Sequence, residues 1–304
     1  MSAATGVGLA VLGGAVRVST PFLYVSLGEC LTEKSGRVNL GLEGTLVMGA
    51  MSGYGLAHLT HSPWPGVLGA GLVGIVLGAV HAALCARPRV NDVAVGIALM
   101  LFGVGMAFFI GKPLIDVTVP HLPSVSLGWW SDSAPVRSAL QINALFVVGL
   151  VLTGLVVVLL KRTRWGLVLR TVGESADSAR AMGYDVNQVR LLATMAGGFF
   201  AGVGGSFLSL YYPGGWSEGL SSGQGLMAVA LVIFARWDPV RCLLASLLFG
   251  GASALGPALQ SVGVTSGYYL FNAAPYVLTL VIIVATSSPS RALTGQPAEL
   301  RVAR

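Results

Sequence analysis

Three features of this chain predict an all-α fold, a polytopic transmembrane helical bundle of about nine spans. Its 304 residues are 54% hydrophobic and only 10% charged, where soluble domains carry about 25% charged residues. The apolar residues fall in runs of about 20, the length a helix needs to cross the hydrocarbon core. The cations, finally, divide unevenly between alternate loops, as membrane topology requires. The first feature excludes an ordinary soluble enzyme. The third explains the net charge of +6 without any affinity for nucleic acid.

In chain order, the predicted spans cover residues 9–31, 40–61, 66–86, 91–111, 140–160, 190–211, 225–236, 240–260 and 267–287. The seventh is too short to cross upright at about 1.5 Å per residue. It is read as broken, as re-entrant, or as beginning earlier in the Gly/Ser-rich outer loop before it. With the N-terminus outside and the C-terminus cytosolic, fifteen of the eighteen Lys and Arg lie on the inner side. Lys112 and Arg137 remain outside, and Arg17 lies within the first span. All six tryptophans are expected at interfaces: Trp64, Trp129, Trp130 and Trp216 outside, Trp165 and Trp237 inside. The first run lacks a basic leader and is interrupted by Arg17, so no cleavable signal peptide is expected. One transmembrane domain then covers residues 1–287. It carries a basic cytosolic loop at 161–190, and a short polar tail, 288–304, is expected to be disordered.

The chain has 42 glycines, about twice the usual share of roughly 7%. Gly49-x-x-x-Gly53, Gly74-x-x-x-Gly78 and Gly198-x-x-x-Gly202 have the spacing that lets helix backbones approach. Cys30, Cys85 and Cys242 show neither metal-ligand nor disulfide spacing and are expected as free thiols. The outer loop 112–139, with four prolines and the Trp129-Trp130 pair, is expected to pack on the outer face.

No catalytic constellation appears, neither a Ser/His/Asp set, nor a phosphate-cradling Gly-Lys-Ser/Thr, nor paired acids. His58 and His61 lack a third ligand, so no metal is expected. Polar residues gather instead at the starts of apolar spans. Asn39 and Glu43, at i and i+4, are predicted to share a helix face. A carboxylate in a span costs about 2.5–3.5 kcal/mol at mid-bilayer, so Glu43 must be paired or face an aqueous cavity, and Arg37 is the expected partner. Asn91 and Asp92 open the fourth span, where capping and the helix dipole favour them. Gln224 and Ser222 stand at the mouth of the seventh segment, as solute contacts or as caps. Glu43 and Asp92 lie near span ends, and mid-span acids are absent. In the basic loop, Ser175 is predicted to cap a helix from Ala176 to Met182 that Gly183 ends. Its small residues suit insertion into a groove on another protein. Lying on anionic lipid suits them equally.

Four blocks, in this order, carry a resemblance: SGRVNLGLEGTLVMGAMSG, RVNDVAVGIALML, TRWGLVLRTVGESADSARAMGYDVNQVRLLATMAGGFFAGVGGSFLSL and GQGLMAVALVIFARWDP. From about Gly28 to Gly256 the chain resembles the inner-membrane permease subunits of ABC importers for simple sugars and nucleosides, relatives of ribose and branched-chain amino acid permeases. The resemblance implies that Glu174, Ser175, Ala179, Arg180, Ala181, Gly183 and Asp185 belong to a segment that docks on a separate ATPase. Ala181 and Gly183 fall where the family's Ala-x-Gly signature lies. It also implies that Asn39, Glu43, Asn91, Asp92 and Gln224 border the translocation path. Expected partners are an ABC ATPase, a second permease subunit (a paralogue or this chain itself), an extracytoplasmic solute-binding protein and the lipid bilayer. No cofactor is expected on this chain, ATP and Mg being held by the ATPase. Gly223-Gln224-Gly225 departs from the family's frequent Gly-Arg-Gly, and Phe234-Ala-Arg-Trp-Asp-Pro239 from its Phe-Gly-Arg-Trp-Asn-Pro. An ion-gradient-driven transporter is the alternative reading, and the lack of mid-span acids counts against it. A membrane-bound scaffold or receptor is a third.

Overall fold

The computed structural model describes residues 3–261, 271, 273–286 and 295–302. Residues 267–270, 272 and 287 of the predicted ninth span and 288–294 of the tail lie outside the described residues. The long helices are α1 (Ala3–Lys34), α2 (Leu42–Thr60), α3 (Pro63–Cys85) and α4 (Asp92–Gly111). After a connecting segment that contains the short α5 (Ala134–Ala139) come α6 (Ala144–Arg162), the amphipathic α7 (Arg164–Glu174), α8 (Ala176–Ala181) and α9 (Val186–Leu210). The chain continues with α10 (Gln224–Phe234), α11 (Pro239–Ser261), α12 (Ala274–Thr286) and a last turn, α13 (Glu299–Val302). Six of these, α1, α3, α4, α6, α9 and α11, are long and apolar enough to cross a membrane.

The core is built around α9, which packs against α1, α2 and α3. Glycine makes this possible. A Cβ on Gly49 of α2 would lie 2.5 Å from the carbonyl oxygen of Gly202, and Gly74 of α3 sits directly on the backbone of Gly198. All three glycine spacings therefore converge on one helix, which is why its faces are buried while α3, α4 and α6 keep apolar stripes outward. On α3 that stripe is Leu68, Leu72, Val76 and Val80, each four residues apart and exposed, the pattern of a helix facing lipid.

The segment between α4 and α6 is ordered, with a two-stranded antiparallel hairpin, β1 (Ser124–Ser126) against β2 (Gln141–Asn143). Leu122 N donates to Leu210 O, tying this segment to the end of α9. Arg17 lies within α1 with its guanidinium 5.7 Å from the centre of the Tyr212 ring, a contact that lowers the cost of a cation there. The three cysteines are free and buried.

Trp64, Trp129, Trp130 and Trp165 are exposed, whereas Trp216 and Trp237 are only 4% exposed and belong to the core. Trp216 packs on Phe108, and Trp237 donates its indole N–H to Glu33. The tail, moreover, is not disordered over 295–302. Leu300 packs on the core, and Lys34 Nζ donates to Gly295 O at 3.2 Å.

Candidate functional site

The polar residues form two groups, joined by the turn between α1 and α2. This turn, residues 35–41, does not continue a helix, so Asn39 does not share a helix face with Glu43. Asn39 instead closes the turn. Its N–H donates to Glu29 Oε1 at 2.8 Å, and its own Oδ1 accepts from Gly41 N at 2.9 Å. Arg37 pairs with Asp92, not with Glu43. Asn91 caps α4, accepting from Val93 N and Ala94 N at 2.8 and 3.1 Å.

The turn descends into the bundle before α2 begins. Gly44 lies against Leu99 and Met100 of α4, and Gly103 lies against Gly44. Leu99 and Gly103 stand 7 and 11 residues after Asp92, about 10–16 Å along the helix. Glu43 thus opens a helix, yet lies deep rather than at the bundle's end. Its carboxylate is buried and accepts from Ser221 Oγ at 2.5 Å, Gly225 N at 2.6 Å and Gly223 N at 3.2 Å. These amides belong to the start of α10, whose dipole favours an anion at that end. A Cβ on Gly225 would fall 2.6 Å from Glu43 Cα, so only glycine allows this approach.

The same arrangement accounts for the short seventh segment. α10 has 11 residues, about 16 Å, and runs from the depth of Glu43 to Trp237 beside the end of α1. Residues 211–223, an irregular stretch, join it to the end of α9. Non-helical backbone at such depth is tolerated where it is buried in protein or lines a water-filled cavity. Gln224 sits at the junction, with Oε1 buried and lacking a partner among the described residues.

The second group is the loop between α6 and α9. Ser175 Oγ accepts from Ser178 N at 3.2 Å and starts α8. Gly183, at φ +86°, ends the turn after it, a conformation glycine adopts without strain. Ala176 and Ala179 face inward, whereas Glu174, Arg180, Ala181 and the Met182–Asp185 stretch are exposed. Arg180 pairs with Asp177 at 2.7 Å, and Asp185 caps α9 through Asn187 N and Gln188 N. Arg180 and Asp185 are therefore not paired with one another. Beside this turn lies a cleft of about 480 Å³ that includes Arg164, Trp165, Tyr184 and Leu192.

Sequence reasoning missed what holds this loop from behind. Glu299 Oε1 accepts from Ala176 N at 2.8 Å, and Oε2 accepts from Arg190 at 3.0 Å. Arg190 Nε in turn donates to Ser35 O at 3.1 Å. The tail, α8, α9 and the α1–α2 turn thus meet at one point. Also missed were Glu29 and Glu33, both buried on α1. Glu29 lies five residues before Lys34, about 7 Å from the helix end, and so inside the bundle rather than at its edge. Their spacing of four within an apolar run was the available signal.

Residues 11–287 match the family model described as "Branched-chain amino acid transport system / permease component". The chain is similar to TsgC13 of Haloferax volcanii, provisionally named a glucose ABC transporter permease, with 35% identity covering 83% of this chain and 78% of that one. It is similar to the nucleoside ABC transporter permease NupC of Lactococcus lactis, at 28% identity over 87% and 88% of the two chains. The guanosine ABC transporter permease NupQ of Bacillus subtilis is 28% identical, again over 87% and 88%.

Proposed function

This chain belongs to the family of branched-chain amino acid transport system permease components, and on that premise we propose that it forms the path for a nucleoside or simple sugar while a separate subunit hydrolyses ATP. As a member of that family it is a permease subunit of an ABC importer and a multi-pass protein of the plasma membrane. The observation that carries the reading is the family match over residues 11–287. The names of the relatives, for glucose, nucleosides and guanosine, support the solute class. Membership also favours an ATPase-driven importer over the ion-gradient alternative.

In this reading the chain has nine crossings, an outer N-terminus and a cytosolic C-terminus. Residues 1–287 are one permease domain, and 161–190 is its coupling loop. The exposed stretch from Glu174 through Ser175, Ala179, Arg180, Ala181 and Gly183 to Asp185 meets the ATPase, with buried Ala179 as its inner support. Asn39, Glu43, Asn91, Asp92 and Gln224 border the path, which narrows at the deep junction of Glu43 with Gln224. There Glu43 acts by positioning α10, and Gln224 offers an acceptor to a hydroxylated solute. The chain is non-catalytic and binds no cofactor, ATP and Mg residing on the partner. A second permease subunit, a paralogue or this chain itself, completes the path, and an extracytoplasmic binding protein delivers solute to the outer face. No nucleic acid is involved. Closure of the ATPase moves the coupling loop and switches the open side, a rigid-body transition between two states.

Vesicles that contain this chain, its ATPase and its binding protein are expected to accumulate labelled guanosine or glucose only with ATP. Gly183→Pro, or reversal of charge at Arg180 and Asp185, is expected to abolish that uptake without loss of membrane insertion. Accumulation on a proton or sodium gradient with no nucleotide would overturn the reading.

A further inference from the structure

The ends of α1, α6 and α10 meet the start of α11 around a cavity of about 340 Å³. Five cations line it, Lys34, Lys161, Arg170, Arg236 and Arg241, against a single acid, Asp238. Lys161 lies 3.4 Å from Asp238. Arg236 and Arg241 have no ion pair or side-chain hydrogen bond among the described residues. Burial alone would raise the pKa of Asp238, but N–H donors from Arg241 and Val240 and the Lys161 ammonium hold it below the usual carboxylate range. Asp238 is therefore ionised, and the lining carries a formal charge of +4, five cations less one acid.

A cavity with this excess of positive charge attracts an anion with several acceptor oxygens. The helices beside it indicate where that anion comes from. α6 and α11 pack together, and each carries an exposed apolar ladder away from the cavity. On α11 the rungs are Val240, Leu244 and Leu248, and on α6 they are Leu155 and Leu159. A soluble phosphate would use the cations and leave the ladders idle, whereas a phospholipid uses both. Generic positive-inside bias explains cations near an inner face, but not their convergence on one cavity at the foot of two apolar ladders. We propose that this cavity is a binding site for the phosphate headgroup of an anionic phospholipid of the inner leaflet, with its acyl chains along α6 and α11. The proposal takes this end of the bundle as the cytosolic one, as the functional reading does.

Full-length chain in neutral detergent, titrated with phosphatidylglycerol and followed by native mass spectrometry, tests it. Arg236→Gln with Arg241→Gln is expected to lower lipid retention about tenfold or more. Arg87→Gln with Arg89→Gln, equal in charge and on the turn between α3 and α4, is expected to lower it less than twofold. Phosphatidylcholine retention should be the same in all three proteins, which also reports that the variants are folded. In the unsubstituted chain, a headgroup-photoreactive phosphatidylglycerol should crosslink to peptides containing Lys34, Lys161 or Arg241. Equal loss in both double variants, or crosslinks confined to other peptides, would overturn the site. So would binding of inorganic phosphate alone that abolishes lipid retention at equal concentration. If the cavity variants keep their lipid but lose the ATPase subunit, the patch is a protein contact and the proposal fails.

Discussion

Glu43 shows how much one side chain decides here. Its carboxylate satisfies two backbone N–H groups and one hydroxyl at the start of α10, and an unsatisfied buried donor costs about 1–3 kcal/mol. Glu43→Ala is therefore expected to lower the unfolding midpoint of the purified protein clearly and to reduce uptake to near background. Glu43→Gln, which keeps one acceptor oxygen, should lose less of both. Equal stability of all three proteins would remove Glu43 from its role as the cap of α10. The preference for Arg37 as its partner rested on closeness in sequence. In the folded chain Arg37 pairs with Asp92, because the turn between α1 and α2 carries Glu43 past that level into the bundle.

Among the elements, α8 depends on contacts far away in sequence. Six residues are too few to hold a helix in water, and Ser175 supplies only one cap. Glu299 adds a second acceptor at the start of α8 and links it to Arg190. Glu299→Ala is expected to speed amide exchange over residues 176–184 about tenfold, as loss of a charge-assisted hydrogen bond would, with the exchange of α2 unchanged. If exchange over 176–184 stays as it was, the tail does not steady this loop. α9 poses the opposite problem, a helix so closely packed that it has no room. Gly198→Val would drive a side chain into the backbone of α3 at Gly74. It is expected to cut the yield of folded protein several-fold, whereas Gly154→Val, where no atom lies within 4 Å, should leave yield unchanged.

At the scale of the whole molecule, the proposed topology has α6 separate two loops on opposite sides of the membrane. Asp132 lies in the segment between α4 and α6, and Asp177 lies in the loop between α6 and α9 with a side chain 95% exposed. Because the three native cysteines are buried, labelling of single introduced thiols should be read against a low background. Asp132→Cys is expected to react with an impermeant maleimide in intact cells, and Asp177→Cys only after permeabilisation. The reverse pattern would invert the proposed orientation.

The sequence by itself determined a membrane-embedded helical protein, the rough extent of most spans and the local caps at Ser175, Gly183 and Asn91. These follow from hydropathy, helix length and short-range hydrogen bonding, all of which act within about one span of chain. It also marked the glycine spacings, though not the helix on which they converge. Only the tertiary structure decided that Glu43 opens its helix deep in the bundle, that α10 starts at its carboxylate, and that Glu299 clasps α8. Each of these depends on residues 55–182 positions apart that become neighbours only when the backbones pack. A linear pattern records which residues avoid lipid. It does not record which polar group each one meets once water is gone, and that pairing is fixed by the close approach that glycine allows around α9.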